Sequence, residues 1–260
     1  MTREFPSAIY SPNYYLIHKK NEIQEPRPWN VLNLVRSYMP NGASVLDAGC
    51  GNAKQFEDLK ENLLEPIKQF TGFDINRTLL EQASTKAKGV NVNLVQADIL
   101  PASGAFPFAN ESFDMITFIL SKHNAGEAYR ILRPNGVVIM ERVGEMDKRN
   151  IKLMFGNDEQ GEQRGYMSEY HPGDLAKIYK ADFIKSGFGE VDCIQATWKT
   201  WVTRSGLIAL FENTPFVNKF DRKKDRKTLD EVVEKYKKSN GIEFIQHRIL
   251  IVAKKTILNA

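Results

Sequence analysis

The chain has 260 residues, 42% hydrophobic and 26% charged, with 36 Lys and Arg against 32 Asp and Glu and a formal net charge of +4. That length suffices for one generous core or a core with a small cap, and neither fraction suggests disorder. Two cysteines, Cys50 and Cys193, give no disulfide framework and no C-x-x-C pair, and His18, His123, His171 and His247 have no ligand spacing, so a reducing, metal-free site is expected.

The N-terminal residues Met1 to Pro6 lack a basic-then-apolar signal pattern, and no apolar run approaches the roughly 18 residues of a membrane span. A cytoplasmic protein with no membrane partner is expected. Residues 1–40 form a leader in which Tyr10, Tyr14, Tyr15 and Trp29 stand among prolines. Those aromatics can dock the leader on the core.

Next comes Ser44-Val45-Leu46-Asp47-Ala48-Gly49-Cys50-Gly51-Asn52, a buried strand that ends in a carboxylate and enters a glycine turn. A helix over 53–63 follows, with Phe56, Leu59 and Leu63 on one face. Gly49 and Gly51 let the backbone approach a ligand with no Cβ in the way. The diphosphate fingerprint G-x-G-x-x-G would need a glycine where Lys54 stands, and Asp47 would repel a diphosphate. The same carboxylate favours a ligand carrying an ammonium and a sulfonium.

Strands ending near Phe73, Gln96, Leu120 and Met140 then alternate with helices near 76–87, 125–132 and 174–185. The last helix opens at Pro172 and Asp174 and shows Leu175, Ile178, Tyr179 and Phe183 at helical spacing. Val191 to Ala196 reads as a sixth strand and His247 to Ala253 as a seventh. The alternation predicts an α/β fold with a mostly parallel sheet and helices on both faces. Two of its strands close on carboxylates: Phe70-Thr71-Gly72-Phe73-Asp74, 27 residues after Asp47, and Asn91 to Asp98. Asp74 suits two ribose hydroxyls. Either aspartate also suits the N-cap of a following helix. Cys50 reads as a small apolar filler and Asp114 as structural.

These motifs together resemble the class I S-adenosylmethionine-dependent methyltransferases, of methyltransferase type 11-like kind. V-L-D-A-G-C-G (45–51) is similar to their first motif, Glu111 to Thr117 to their fourth strand, and Ala128 to Ile139 to their helix-turn-strand closure; the resemblance covers roughly residues 40 to 142. It implies a Rossmann-like seven-stranded sheet whose last strand is antiparallel, with S-adenosylmethionine as cofactor and S-adenosylhomocysteine as product. It implies that Asp98 accepts the adenine amino group while Ile99 packs on the ring. The cofactor-binding set is then Asp47, Ala48, Gly49, Gly51, Asn52, Asp74, Ile75, Asp98, Ile99, Leu120 and Ser121. In such enzymes an aromatic leader often folds over the cofactor.

In the resembling fold the sixth and seventh strands form a tight hairpin, but here about 50 residues separate them, far more than a hairpin needs. The expected organisation is one methyltransferase domain over 1–260: leader 1–40, cofactor-binding core 41–142, acceptor-side connection, helix and sixth strand 143–198, helical insertion or lid 199–246, last strand and tail 247–260. The insertion holds an apolar helix around Leu207 to Phe211 and a second helix opened by the capping box Thr228-Leu229-Asp230-Glu231. Residues 199–248 carry twelve Lys or Arg and seven Asp or Glu, with Lys219, Arg222, Lys223, Lys224, Arg226 and Lys227 clustered. That cluster reads as a phosphate footprint or, preferably, as a solvated helix start interleaved with Asp221 and Asp225.

Methyl transfer needs alignment and water exclusion more than a base. His123, just past the fourth strand, is the candidate general base, with His171 the other by type. The fourth strand ends Phe118-Ile119-Leu120-Ser121 without the N/D-P-P-aromatic motif, and no Pro-Cys pair is present, which disfavours adenine amines, glutamine amides and pyrimidine carbons as acceptors. Residues 121–132 and 210–216 are similar to segments of ribosomal RNA guanine-N1 methyltransferases, whose cysteine-rich zinc module is absent here. The aromatic leader and the insertion suggest an enclosed pocket, so a small-molecule acceptor is expected, with RNA or a non-catalytic cofactor-binding module as alternatives.

Overall fold

The computed structural model describes residues 22–57, 67–86, 92–165, 169–214 and 216–256. In chain order the elements are β1 (Glu22–Gln24), α1 (Val31–Tyr38), β2 (Ser44–Ala48), β3 (Gln69–Asp74), α2 (Arg77–Lys86), β4 (Val92–Gln96), β5 (Phe113–Ile119), α3 (Ala125–Ile131), β6 (Leu132–Val143), α4 (Arg149–Lys152), α5 (Asp174–Lys185), β7 (Glu190–Val202), α6 (Arg204–Asn213), α7 (Arg226–Tyr236), β8 (Lys237–Lys238) and β9 (Gly241–Lys254). A further helix is entered at residue 54 and is described to residue 57. Tyr10, Tyr14 and Tyr15 of the leader, and Leu59 and Leu63 of that helix, lie outside the described residues.

Contacts divide the chain into two compact units: residues 29–143, 173–195 and 248–260, and residues 1–28, 144–172 and 196–247. The chain passes from one to the other within β7 and β9.

The larger unit holds the parallel sheet. β2 pairs in parallel with β3 and β5, β3 with β4, and β5 with β6, while β9 runs antiparallel to β6; the strand order is β7-β9-β6-β5-β2-β3-β4. Every residue of β2 is buried, as a central parallel strand requires, because crossover helices cover both faces. Side chains alternate between those faces. Val45, Met115, Ile139 and Leu250 join one apolar cluster with Val35 of α1 and Phe56, and Leu46, Phe118, Met140 and Ile251 join the other with Ile131 of α3 and Phe183 of α5. Each such Leu, Ile or Phe side chain contributes about 1.5–3 kcal/mol by leaving water. Asn30 caps α1 by accepting from the Asn33 N–H at 3.1 Å, and Asn124 caps α3 through Glu127 N–H at 3.1 Å. In α5, Tyr179 and Phe183 are buried as expected, whereas Ile178 is turned outward at 37% exposure.

In the smaller unit β1 pairs antiparallel with the last residues of β7, and β8 pairs with the start of β9. A third apolar cluster packs Leu207 and Phe211 of α6 with Leu229 and Val232 of α7, Phe244 of β9 and Phe155. Both long strands outrun their sequence signals: β7 continues to Val202 and β9 begins at Gly241. The helical insertion therefore spans 203–240. α7 also starts earlier than the capping box suggested. Its N-cap is Asp225, whose side chain does not cap it, and Thr228 lies inside the first turn. Asp225 is committed elsewhere, to Arg164 at 2.6 and 2.9 Å. Asp221 accepts from the N–H groups of Lys223 and Lys224 at 2.8 and 2.9 Å, and Lys219 pairs with Asp158 at 3.3 Å. The acidic residues of the basic segment thus organise its turn.

Candidate active site

At the carboxyl edge of the parallel sheet, β2 hands the chain to Gly49, where φ turns positive (78°), and Gly51 is positive again (52°). Both amides of Gly49 and Cys50 donate to the Phe73 carbonyl, at 2.8 and 3.0 Å, so the turn is fastened to the end of β3. A Cβ on Gly49 would stand 2.5 Å from Ser121 Cβ and 3.0 Å from Ile99 Cδ1. At Gly51 the nearest atom to such a Cβ is Leu79 Cδ1, at 3.9 Å. One glycine is thus required by crowding, whereas a Cβ at the other would meet only an ordinary van der Waals contact.

Asp47 is 3% exposed and accepts from Thr117 Oγ1 at 2.8 Å. Burial pushes its carboxyl up to about 7, the Thr117 hydroxyl opposes that rise, and the Asp74 charge adds to it. A cation placed here would return Asp47 to its ionised form. Asp74 accepts from Gly51 N–H at 2.9 Å and from Asn76 N–H at 2.8 Å. Asn76, not Asp74, caps α2, accepting from Leu79 N–H at 3.2 Å. Each Asp74 oxygen keeps further lone pairs for hydroxyl donors. Asp98 accepts from Leu100 N–H at 3.0 Å in a local turn, with no described helix between β4 and β5 for it to cap. Exposed aliphatics, Ile75, Leu100 and Leu120, follow β3, β4 and β5.

The wall opposite Gly49 is the turn after β5. Leu120 adopts φ 55°, costly for a residue with a Cβ. Its N–H donates to the Glu141 carbonyl at 2.8 Å, and Ser121 Oγ donates to the Ala48 carbonyl at 2.8 Å. Arg142, which sequence reasoning did not single out, donates Nη1 to the Ser121 carbonyl.

The residues present fit a cofactor with a cationic amino-acid end. Asn52 is 8% exposed and its Oδ1 is buried with no hydrogen-bond partner, as are both amide atoms of Gln55. Buried polar atoms are nearly always paired, so these await a donor or acceptor. Gln55 carries no motif signal. Thr117 did: it is a polar residue inside an otherwise apolar run.

Other residues are accounted for by packing. Cys50 fills the space left by the absent Cβ of Gly72, 2.8 Å from Sγ, and burial pushes its thiol up. Asp114 accepts from Ser44 N–H and from Arg133 Nη1, both at 2.7 Å. His123 stacks on Phe183 at 5.6 Å, meets Tyr179 edge-on at 5.2 Å, and reaches Asp182 at 3.5 Å through Nε2. Burial first, and then the Arg142 charge, push it down to about 4 against the pull of Asp182. It is a neutral ring in an aromatic sandwich. Among the described residues no group of His, Cys, Asp and Glu could hold a metal ion, and no helix is long and apolar enough to cross a membrane.

The family described as "Methyltransferase domain" matches residues 45–136. A demethylmenaquinone methyltransferase of Lactobacillus johnsonii is 24% identical over 154 residues, which cover 55% of this chain and 61% of that enzyme. The YcgJ protein of Bacillus subtilis superposes with a TM-score of 0.58 at 20% identity, covering 87% of this chain and 98% of that one. The phosphoethanolamine N-methyltransferase 2 of Haemonchus contortus, in complex with phosphomonomethylethanolamine and S-adenosylhomocysteine, gives 0.51 at 18% identity, covering 88% of this chain and 53% of that one. At these identities the structural likeness establishes the fold.

Proposed function

We propose that this chain, whose residues 45–136 match the methyltransferase domain family, is a class I S-adenosylmethionine-dependent methyltransferase that transfers a methyl group from that cofactor to a small-molecule acceptor. The observation that carries the cofactor assignment is Asp47, a buried carboxylate beside a glycine turn, poised to ionise when a cation arrives. The acceptor class is supported by the demethylmenaquinone methyltransferase, whose name gives a quinone and not RNA as substrate.

When bound, the cofactor would supply an electrophilic methyl on a positively charged sulfur. The chain's own residues bind and exclude water. In this reading Asp47 and Asn52 Oδ1 would accept from the ammonium, Gly49 and Gly51 would let the backbone lie close to the ligand, and Ser121, tied to the Ala48 carbonyl, would close the wall beside the turn. Asp74 accepts ribose hydroxyls, Asp98 accepts the adenine amino group, and Ile75, Ile99 and Leu120 keep water from the ring. His123 is uncharged at neutral pH and a weak base, so we assign it to packing. We read 1–260 as one methyltransferase domain with its acceptor chosen by residues outside the cofactor frame, acting in the cytoplasm.

Calorimetric titration of S-adenosylmethionine and S-adenosylhomocysteine, with NAD as control, tests the cofactor. Micromolar binding that weakens at least tenfold in Asp74→Ala is expected, and no binding to cofactor-free protein overturns the reading. Labelled cofactor offered with a panel of quinols, phenols and amines, and separately with bulk RNA, tests the acceptor. Label in the small-molecule fraction, insensitive to salt between about 50 and 200 mM, is expected. Label in RNA that falls steeply with salt would assign the acceptor to RNA, and binding without turnover would assign a non-catalytic module.

A further inference from the structure

The turn after β5 is held from three directions. Its Leu120 N–H is tied to β6 at Glu141, the Ser121 hydroxyl is tied to β2 at Ala48, and the Ser121 carbonyl is tied to the Arg142 guanidinium. The first two bonds join neighbouring parts of the sheet edge. The third comes from a side chain on the α5 face of β6, since Arg142 follows Glu141 and side chains alternate. There the guanidinium lies over the Tyr179 ring of α5, 5.6 Å from its centroid. Tyr179 in turn meets His123, which stacks on Phe183. A multiply donating, delocalised cation suits this arrangement, because one nitrogen must reach a carbonyl while the charge lies over an aromatic ring.

The turn so held is strained and tightly apposed. Leu120 sits in the left-handed region, and Ser121 Cβ stands 2.5 Å from where a Cβ on Gly49 would lie. Left-handed backbone at a leucine persists only when its surroundings over-determine it. Releasing one tie would let the turn relax toward the glycine loop or away from it, and either movement alters the cradle.

We propose that Arg142 is a positioning residue for cofactor binding: by clamping the Ser121 carbonyl against the Tyr179 platform, it fixes the Leu120–Ser121 turn as the wall facing Gly49. The inference rests on the cofactor assignment above. Arg142 reaches the turn through the Ser121 carbonyl, so its effect on the cradle passes through Ser121.

The test uses Arg142→Lys and Arg142→Met in the full chain, with S-adenosylhomocysteine titrated calorimetrically and the imidazole of His123 followed by NMR over pH. Three charged or titratable groups face that imidazole: Arg142 from β6, and Asp182 and Tyr179 from α5. Loss of the clamp is expected to weaken S-adenosylhomocysteine at least tenfold in both variants, because lysine keeps the charge but not the fork and flat face. The His123 titration is expected to rise in Arg142→Met and to stay low in Arg142→Lys. A folded Arg142→Lys protein that binds within twofold of wild type overturns the proposal. So does a His123 titration unmoved by Arg142→Met. If Arg142→Met does not fold, Arg142→Lys carries the binding test. Wild-type protein that fails to bind S-adenosylhomocysteine overturns the function instead, and the His123 titration then still decides whether the clamp exists.

Discussion

Thr117 on β5 donates its hydroxyl to Asp47 on β2 at 2.8 Å, and the two residues are register partners on neighbouring strands. The bond partly offsets the burial of a carboxyl whose proton is held to about 7. A ligand ammonium binds the ionised form, so a proton competes with it below that value. Affinity for S-adenosylhomocysteine should therefore be level above about pH 8 and fall up to about tenfold per pH unit below about 7. Asp47→Asn should weaken binding and flatten the profile, which calorimetry across that range reads directly.

The two glycines of the turn should fail in different ways. Gly49→Ala places a Cβ 2.5 Å from Ser121 Cβ at φ 78°, so strain and overpacking together should cost about 2–4 kcal/mol of stability. Gly51→Ala meets nothing nearer than 3.9 Å and should cost about 1 kcal/mol from its positive φ alone. Its new methyl would nonetheless occupy the space beside the turn. Urea unfolding should rank Gly49→Ala far below Gly51→Ala, while both lose cofactor binding by tenfold or more. A Gly51→Ala protein that binds like wild type would place the ligand elsewhere.

Much of this frame was legible because it is local. The strand Ser44–Ala48 announces itself by five buried residues in a row closing on two glycines, and the alternation of strands and helices fixes the layer order. Strand lengths were not legible. β7 continues past Ala196 through Trp198, Lys199 and Trp201 to Val202, where it gains a partner in β1 that no local pattern reveals. The start of α7 was misjudged because Asp225 serves Arg164, 61 residues away, and so cannot act as a side-chain cap. The candidate site divides the same way: Asp47, Asp74 and Asp98 stand at strand ends in the sequence, whereas Arg142 acquires meaning only when β6 sets it beside Ser121 and Tyr179.

Arg164 and Asp225 form a two-pronged ion pair, 2.6 and 2.9 Å, with Asp225 only 4% exposed. Burial pushes the Asp225 carboxyl up, but the Arg164 bonds and the Asp221 N–H hold it below the ordinary carboxylate range. The same guanidinium donates to the carbonyls of Asn218 and Lys219. Removing it leaves a buried carboxylate without its cation, so Arg164→Ala should cost about 3–5 kcal/mol, and Arg164→Lys should recover only part, since an ammonium cannot bridge both oxygens and two carbonyls. Denaturant midpoints of the two variants would check this. Equal loss in Asp225→Asn, which keeps an acceptor, would contradict it.

Asp47 and His123 should oppose one another in the pH dependence of the cofactor-free protein. The folded Asp47 carboxyl titrates near 7 against an ordinary 3.8, so the stability it lends is complete below about 4 and is lost as pH rises toward 7. His123 titrates near 4 against an ordinary 6.5, so its contribution is complete above about 6.5 and is lost as pH falls toward 4. Between those limits each binds or withholds one proton, in opposite senses, and their slopes of about 1.4 kcal/mol per pH unit cancel. Against wild type, His123→Leu should therefore gain stability on acidification and Asp47→Asn should lose it, as urea midpoints at a series of pH values would show. Because His123 is neutral and sandwiched between Tyr179 and Phe183, His123→Leu should also keep methyl transfer within about threefold of wild type near neutral pH. Removal of a working general base would instead cost about a hundredfold or more, and a loss of that size would return His123 to the chemistry.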